Sequence, residues 1–181
     1  ERDEVRILAD AAPLGYLSIA AHGHADALAF TLSAHGEELL IDPGTYAYHT
    51  EPKWRNYFRS TAAHNTLCVD GEDQSVIGGS FMWLQRARAR LLALQRDGAG
   101  ARWSAEHDGY RRLRDGVLHR RDIALDDSVH RHQARSHDDL ALLFEYVGPD
   151  DEVGDSRFVL DGDEDDALGA ARPLADQHET R

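Results

Sequence analysis

The sequence predicts an all-β fold: antiparallel strands packed as a β-sandwich, with one short helix. Three observations carry this. Short runs alternate apolar and polar residues with period two. Turn signals rich in Gly, Asp and Pro separate those runs. One segment alone shows the i, i+3, i+4 spacing of a helix.

Residues 27–33 read Ala-Leu-Ala-Phe-Thr-Leu-Ser, which puts Leu28, Phe30 and Leu32 on one face of a half-buried strand. His35-Gly36-Glu37 turns the chain, 38–41 returns, and Asp42-Pro43-Gly44 breaks the strand. Residues 51–59 form the helix. Pro52 suits a first helical position, and Trp54, Tyr57 and Phe58 share a face. Trp54 and Phe58 are expected to pack in the core. Residues 65–70 read as a short strand ended by Asp70-Gly71. Residues 81–94 include alternating Arg86, Arg88 and Arg90, a strand with arginines on one face, and Asp97-Gly98 reads as a hairpin turn. Residues 101–107, 117–125 and 140–147 are further strands. Residues 126–139 hold His130, His132 and His137 among charges and are expected to form an exposed loop. The sandwich is expected over 1–160. The acidic stretch 161–181 is too poor in large apolar residues to pack and reads as a disordered tail.

The 181 residues carry a net charge of −13, unevenly spread. Residues 138–181 hold 14 acids and 3 arginines, whereas 86–121 holds ten arginines and four acids. That stretch offers either a local basic face for an anionic polymer or an ordinary solvated face. No nucleic-acid-binding motif accompanies it, so nucleic acid is not an expected partner. No run of about 18 apolar residues exists, so no transmembrane helix is expected. The single cysteine, Cys68, excludes a disulfide framework and a cysteine-based zinc site. The chain opens at Glu1 and reads as an excised piece, so a missing targeting signal carries no weight.

The chemistry concentrates in 21–66. His22-Gly23-His24-Ala25-Asp26, Asp42-Pro43-Gly44 and Ala63-His64-Asn65 bring potential ligands near strand ends. Two neutral imidazoles, a carboxylate and water make a common tetrahedral zinc set. Alternation places both rings of His-x-His on one face of an extended segment. The hairpin can return Asp42 beside His24, and His64 would come from a third strand. The spacing fits a metal site, and it also fits hydrogen-bonded histidines in a polar cleft.

The stretches 23–30 (Gly-His-Ala-Asp-Ala-Leu-Ala-Phe), 40–46 (Leu-Ile-Asp-Pro-Gly-Thr-Tyr) and 57–66 (Tyr-Phe-Arg-Ser-Thr-Ala-Ala-His-Asn-Thr) resemble the heparinase II/III-like family of polysaccharide lyases. Residues 69–75 and 106–110 continue the resemblance, which covers roughly 12–125. It implies an N-terminal (α/α) toroid, absent here, and a C-terminal supersandwich-like β-domain, to which this chain corresponds. It implies a zinc ion, structural in role, on His24, Asp42 and His64. It implies that His22 faces the cleft in a catalytic or substrate-binding role. Tyr46, Tyr48, Arg55 and Arg59 are candidate contacts for the polymer, and Asn65 is expected to orient a neighbouring group. The implied reaction is β-elimination on a uronic-acid-containing polysaccharide. It needs a neutralised carboxylate, a base for the adjacent C–H and an acid for the departing oxygen. The resemblance puts the main acid/base Tyr and the carboxylate-binding Asn or His on the toroid. The typical substrates imply a periplasmic or secreted location.

Two other readings compete. A non-haem iron oxygenase would use His24 and Asp26 with His64 or His107, and would leave Asp42 without a role. A non-catalytic, zinc-stabilised module would bind glycan or dock on a separate catalytic domain without turnover. Glu106 and His107 are otherwise expected to be hydrogen-bonded surface residues.

Overall fold

The computed structural model describes residues 5–16, 18–97, 100–126, 141–148, 156–159 and 172–173. Among these, three antiparallel sheets form. Strands β1 (Arg6–Ala9), β2 (Phe30–Ala34) and β3 (Glu37–Leu40) make the first, in the order β1-β2-β3. A ribbon pairs β4 (Val76–Gly79) with β5 (Met82–Gln85). The large sheet runs in chain order through β6 (Ala89–Asp97), β7 (Gly100–His107), β8 (Leu118–Asp126), β9 (Ala141–Gly148), β10 (Ser156–Val159) and β11 (Arg172–Pro173). The helix α1 spans Pro52–Phe58, and two 3-10 turns cover Thr61–Ala63 and Gly109–Arg112.

The sandwich core lies where the small sheet meets the large one. Phe30 and Leu32 of β2 pack with Ile123 of β8, flanked by Val5, Ile7, Leu40 and Trp103. Burying side chains of this size stabilises the fold by about 1.5–3 kcal/mol each. A second cluster joins Ala20, Ala25 and Trp83. Trp83 anchors it further by donating from its indole N–H to the Ala20 carbonyl at 3.2 Å.

Most predicted strands appear within a few residues of their expected ends, because period-two alternation is a local property. The loop expected over 126–139 and the tail expected over 161–181 lie almost entirely outside the described residues. So does Gly98 of the expected hairpin turn, although Asp97 does pair with Gly100 across β6 and β7. Residues 65–70 do not form a strand. There the side chains make the cross-links instead: the Asn65 amide donates to the carbonyls of Phe30 and Ile41, and the Thr66 hydroxyl to Ala27. The expected 81–94 strand is two strands, β5 and β6, separated by 86–88.

The helix is turned inside out relative to its sequence pattern. Arg55 and Arg59 are 0% exposed, whereas Trp54 and Tyr57 are 42% and 48% exposed. The expected core packing of Trp54 is therefore overturned, and Phe58 is only half-buried. The reason is the backbone beneath the helix. The hairpin tip between β4 and β5 and the 21–24 loop leave carbonyls without ladder partners, and buried carbonyls need donors. Arg55 donates to Ser80 and Ala21, and Arg59 to Ser80 and Gly79. Each guanidinium also lies over a ring, Arg55 over Tyr48 at 5.2 Å and Arg59 over Trp83 at 4.9 Å.

The same use of arginine takes Arg121 and Arg112 out of the exposed charge expected over 86–121. Arg121 is buried against the carbonyls of Leu28 and Asn65 and over the Phe30 ring. Arg112 donates to Gly109 and Asp73, and Arg90 pairs with Glu106.

Arg59→Ala is expected to lower folding stability by about 2 kcal/mol, because the Gly79 carbonyl loses its donor, Ser80 keeps only Arg55, and the contact with Trp83 is lost. Arg88→Ala, at an exposed position, should leave it nearly unchanged. Urea unfolding of both variants is the check, and equal midpoints would remove the anchoring role from Arg59.

Candidate metal centre

The site is built from three loop segments. The 21–26 segment passes under α1, held by the Ala25 N–H on the Arg59 carbonyl at 2.9 Å. The Thr61 hydroxyl adds a bond to the Ala25 carbonyl at 2.9 Å. Gly23 separates the two histidines because a Cβ there would sit 2.9 Å from the Gly15 nitrogen. Asp42 lies two residues past β3 in a tight turn, with its Oδ1 accepting the Gly44 N–H at 2.8 Å. His64 follows the Thr61–Ala63 turn, so it comes from a 3-10 turn and not from the expected third strand.

The first two segments line one cavity of about 420 Å³, with Asp10, His22, His24, Asp26, Asp42 and Thr45 in its wall, and His64 joins that wall through Asp42. The His24 and His64 rings are 5.1 Å apart. His64 Nδ1 lies 2.7 Å from Asp42 Oδ2. A carboxylate only accepts, so Nδ1 carries a proton, and in the neutral ring Nε2 keeps its lone pair. That Nε2 is buried and has no hydrogen-bond partner among the described residues. Donor atoms of His24, Asp26 and His64 lie within 4.8 Å of one another. The donor set is therefore two imidazoles with two carboxylates beside them, Asp42 on the far nitrogen of His64 and Asp26 within the cluster.

The electrostatics suit a cation. Burial, and then the neighbouring His64, hold His24 down to about 4, so its ring is neutral near neutral pH. Its Nε2 is 3.2 Å from the Thr45 hydroxyl. Burial lifts the Asp26 carboxyl up to about 6. An orphaned imidazole nitrogen, a neutral second imidazole and a carboxyl raised by burial are a donor set that zinc fits.

The remaining sequence candidates fall in different places. His22 is exposed and packs edge-on against Tyr48 at 5.4 Å and Phe81 at 6.1 Å. Tyr46 is 69% exposed and Tyr48 is 45% exposed, open to a polymer. Arg55 and Arg59 are not open to one: with no exposed surface, their guanidinium groups serve the backbone carbonyls described above. His107 is not in the cluster and is fully buried, contrary to the surface position expected for it.

A family model for the heparinase II/III-like C-terminal domain matches residues 1–141. The chain belongs to the heparinase II/III-like family. Among solved structures it is similar to a heparinase III with methylated lysines (TM-score 0.56, 20% identity), covering 87% of this chain and 20% of that one. A second heparinase III structure gives a TM-score of 0.53 at 20% identity, covering 78% and 19%. These likenesses show the fold: the sheets match the β-sandwich of the heparinases. The chain spans about a fifth of the length of those heparinases. A search of curated proteins finds no match.

Against this family background, three features escaped the sequence reading. Asp26 entered it only through the oxygenase alternative, yet it sits in the donor cluster. Asp10, also lining the cavity, carried no motif. Phe81, against His22, is distant in sequence and had no signal at all.

His107 offers a test of the buried polar network. Its Nδ1 accepts the Gly109 N–H at 3.1 Å, so its proton sits on Nε2, which meets His119 Nδ1 at 2.9 Å. Burial first, then His119, Arg121 and Arg112, hold its pKa far below the ordinary value of 6.5. The unfolded chain takes up a proton below about pH 6.5 that the folded chain refuses, so stability is full above that pH and falls as pH drops. The expected slope from this group is about 1.4 kcal/mol per pH unit. His107→Asn, which keeps an acceptor for Gly109, should flatten that dependence between pH 6.5 and 5. Parallel wild-type and variant curves would show that His107 does not set it.

Proposed function

We propose that this domain is the zinc-bearing wall of a polysaccharide lyase that cleaves a uronic-acid-containing polysaccharide by β-elimination. The observation that carries the reading is the cluster of His24, Asp26 and His64, with Asp42 bonded to the His64 ring, beside a cavity that His22, His24, Asp26 and Asp42 line. Membership in a polysaccharide lyase family supplies the reaction class. His24 and His64 would hold the ion with a carboxylate: Asp26 lies within the donor cluster, and Asp42, the ligand expected from the sequence, meets the far nitrogen of the His64 ring. A bound zinc would tie the 21–26 loop, the end of β3 and the segment after α1 into one rigid wall.

His22 is the group of this chain placed to move a proton. It is exposed, it lines the cavity, and its ring is set by edge contacts with Tyr48 and Phe81. Tyr46 and Tyr48 offer exposed rings and hydroxyls to the polymer. The carboxylate neutraliser and the main acid/base Tyr would come from an (α/α) toroid domain. A periplasmic or secreted setting goes with such substrates. Among the described residues no helix is long and apolar enough to cross a membrane. The second reading, a zinc-stabilised module that binds glycan without turnover, shares the same metal cluster and differs in the role of His22.

Metal analysis of the purified chain should give near-stoichiometric zinc, lost in His24→Ala, Asp42→Ala and His64→Ala. Zinc that survives Asp42→Ala and is lost in Asp26→Ala would reassign the carboxylate to Asp26. A wild-type chain without zinc would sink the centre altogether.

With the chain fused behind the toroid of a heparinase III, unsaturated product should appear by ultraviolet absorbance. His22→Ala should then lower kcat by about a hundredfold. Saccharide binding without any ultraviolet product would favour the non-catalytic module.

A further inference from the structure

The inverted helix builds a surface that the metal cluster does not use. Tyr46, Trp54, Tyr57 and Phe58 form one continuous aromatic patch. Tyr46 stacks on Phe58 at 5.2 Å and 27°, and meets Trp54 at 6.1 Å. Trp54 meets Tyr57 at 5.9 Å, and Tyr57 meets Phe58 at 5.3 Å. Three of the four rings are more than 40% exposed. Water disfavours such a face, and an apolar patch kept on a surface marks a binding site.

The patch is held in place from below. Arg55 and Arg59, on the opposite side of α1, are fixed to the carbonyls of Ala21, Gly79 and Ser80, so the helix cannot roll its rings inward without unpairing them. Tyr46 reaches the patch through a left-handed backbone, φ +56°, a strained conformation for a residue with a side chain.

We propose that this patch is a sugar-stacking platform, a distal subsite that takes one pyranose ring of the polysaccharide outside the reacting position. The proposal rests on the polysaccharide reading above for its ligand class. The chemistry of the patch selects that occupant. All of its ring faces are aromatic, with polar tips at Tyr46, Trp54 and Tyr57, which suits the flat C–H face and polar edge of a sugar. Exposed Lys53 and Asn56 flank it, a cation and an amide for a carboxylate or hydroxyl. It is continuous with the cavity: Tyr46 follows Thr45, which lines the wall and meets His24. A polymer leaving the cavity past Thr45 runs onto Tyr46.

Fluorescence provides the test on the 181-residue chain. Trp83 is buried and Trp103 half-buried, so Trp54 is the most accessible indole. A heparan sulfate hexasaccharide is expected to shift Trp54 emission to the blue and to protect it from acrylamide. By calorimetry, Trp54→Ala and Tyr46→Ala should each weaken binding about tenfold. Trp54→Phe should lose the signal and keep the affinity, which separates stacking from misfolding. Cellohexaose is the neutral arm: Trp54-dependent binding of it, without binding of the acidic sugar, would keep the platform and remove the acidic substrate. Hexasaccharide binding indifferent to both alanine variants would overturn the platform and leave the lyase reading standing. Self-association abolished by Trp54→Ala, with no saccharide effect on emission, would also overturn it and make the patch a protein interface.

Discussion

Buried guanidinium groups bonded to loop carbonyls are the constraint on which the site depends. Sheets satisfy their own backbone, but the 21–28 loop, the β4–β5 tip and the segment after α1 have no ladder. Burying them leaves acceptors that must find donors. Arg55 and Arg59 serve the first two, and Arg121 serves Leu28 and Asn65. Arginine suits the task because its planar fork carries five donors and tolerates burial against aromatic faces. Three side chains thus fix the loops that carry His22, His24 and His64.

The consequences run in two directions. Inward, fixed loops let His24, Asp26, Asp42 and His64 approach closely enough to perturb one another. The cluster suits a cation because His24 and Asp26 are partly desolvated and the buried His64 Nε2 lacks a hydrogen-bond partner among the described residues. Outward, the same anchoring forces the apolar side of α1 into solvent. The metal cluster and the aromatic patch are two faces of one packing solution, inherited from the placement of two arginines four residues apart.

The family and its sandwich were legible in the sequence because they rest on local order. Strand runs at 27–33, 101–107 and 117–125 follow from the local sequence pattern alone, and the 23–30, 40–46 and 57–66 blocks stay contiguous in the chain. The clustering of His24 with His64 was anticipated in kind. The closeness of Asp26 was anticipated only in the oxygenase alternative, and the pairing of Asp42 with Nδ1 of His64 was not, since a motif names residues without saying which nitrogen faces which oxygen. The helix pattern misled because 3.6-residue periodicity identifies a face and not the side on which the protein lies. An apolar stripe normally points inward, but here the demand of buried carbonyls for donors outweighed the burial of Trp54 and Tyr57.

By itself, then, the sequence determined the antiparallel sandwich, the family and the short list of residues able to bind a metal, because alternation, turn residues and contiguous motifs are written along the chain. The tertiary structure alone decided which arginines are buried, which carboxylates flank His64 and which way α1 faces. Those outcomes depend on carbonyls and side chains brought together from 20 or more positions apart, as Arg55 is with Ser80 and Ala21. No local pattern records such distances.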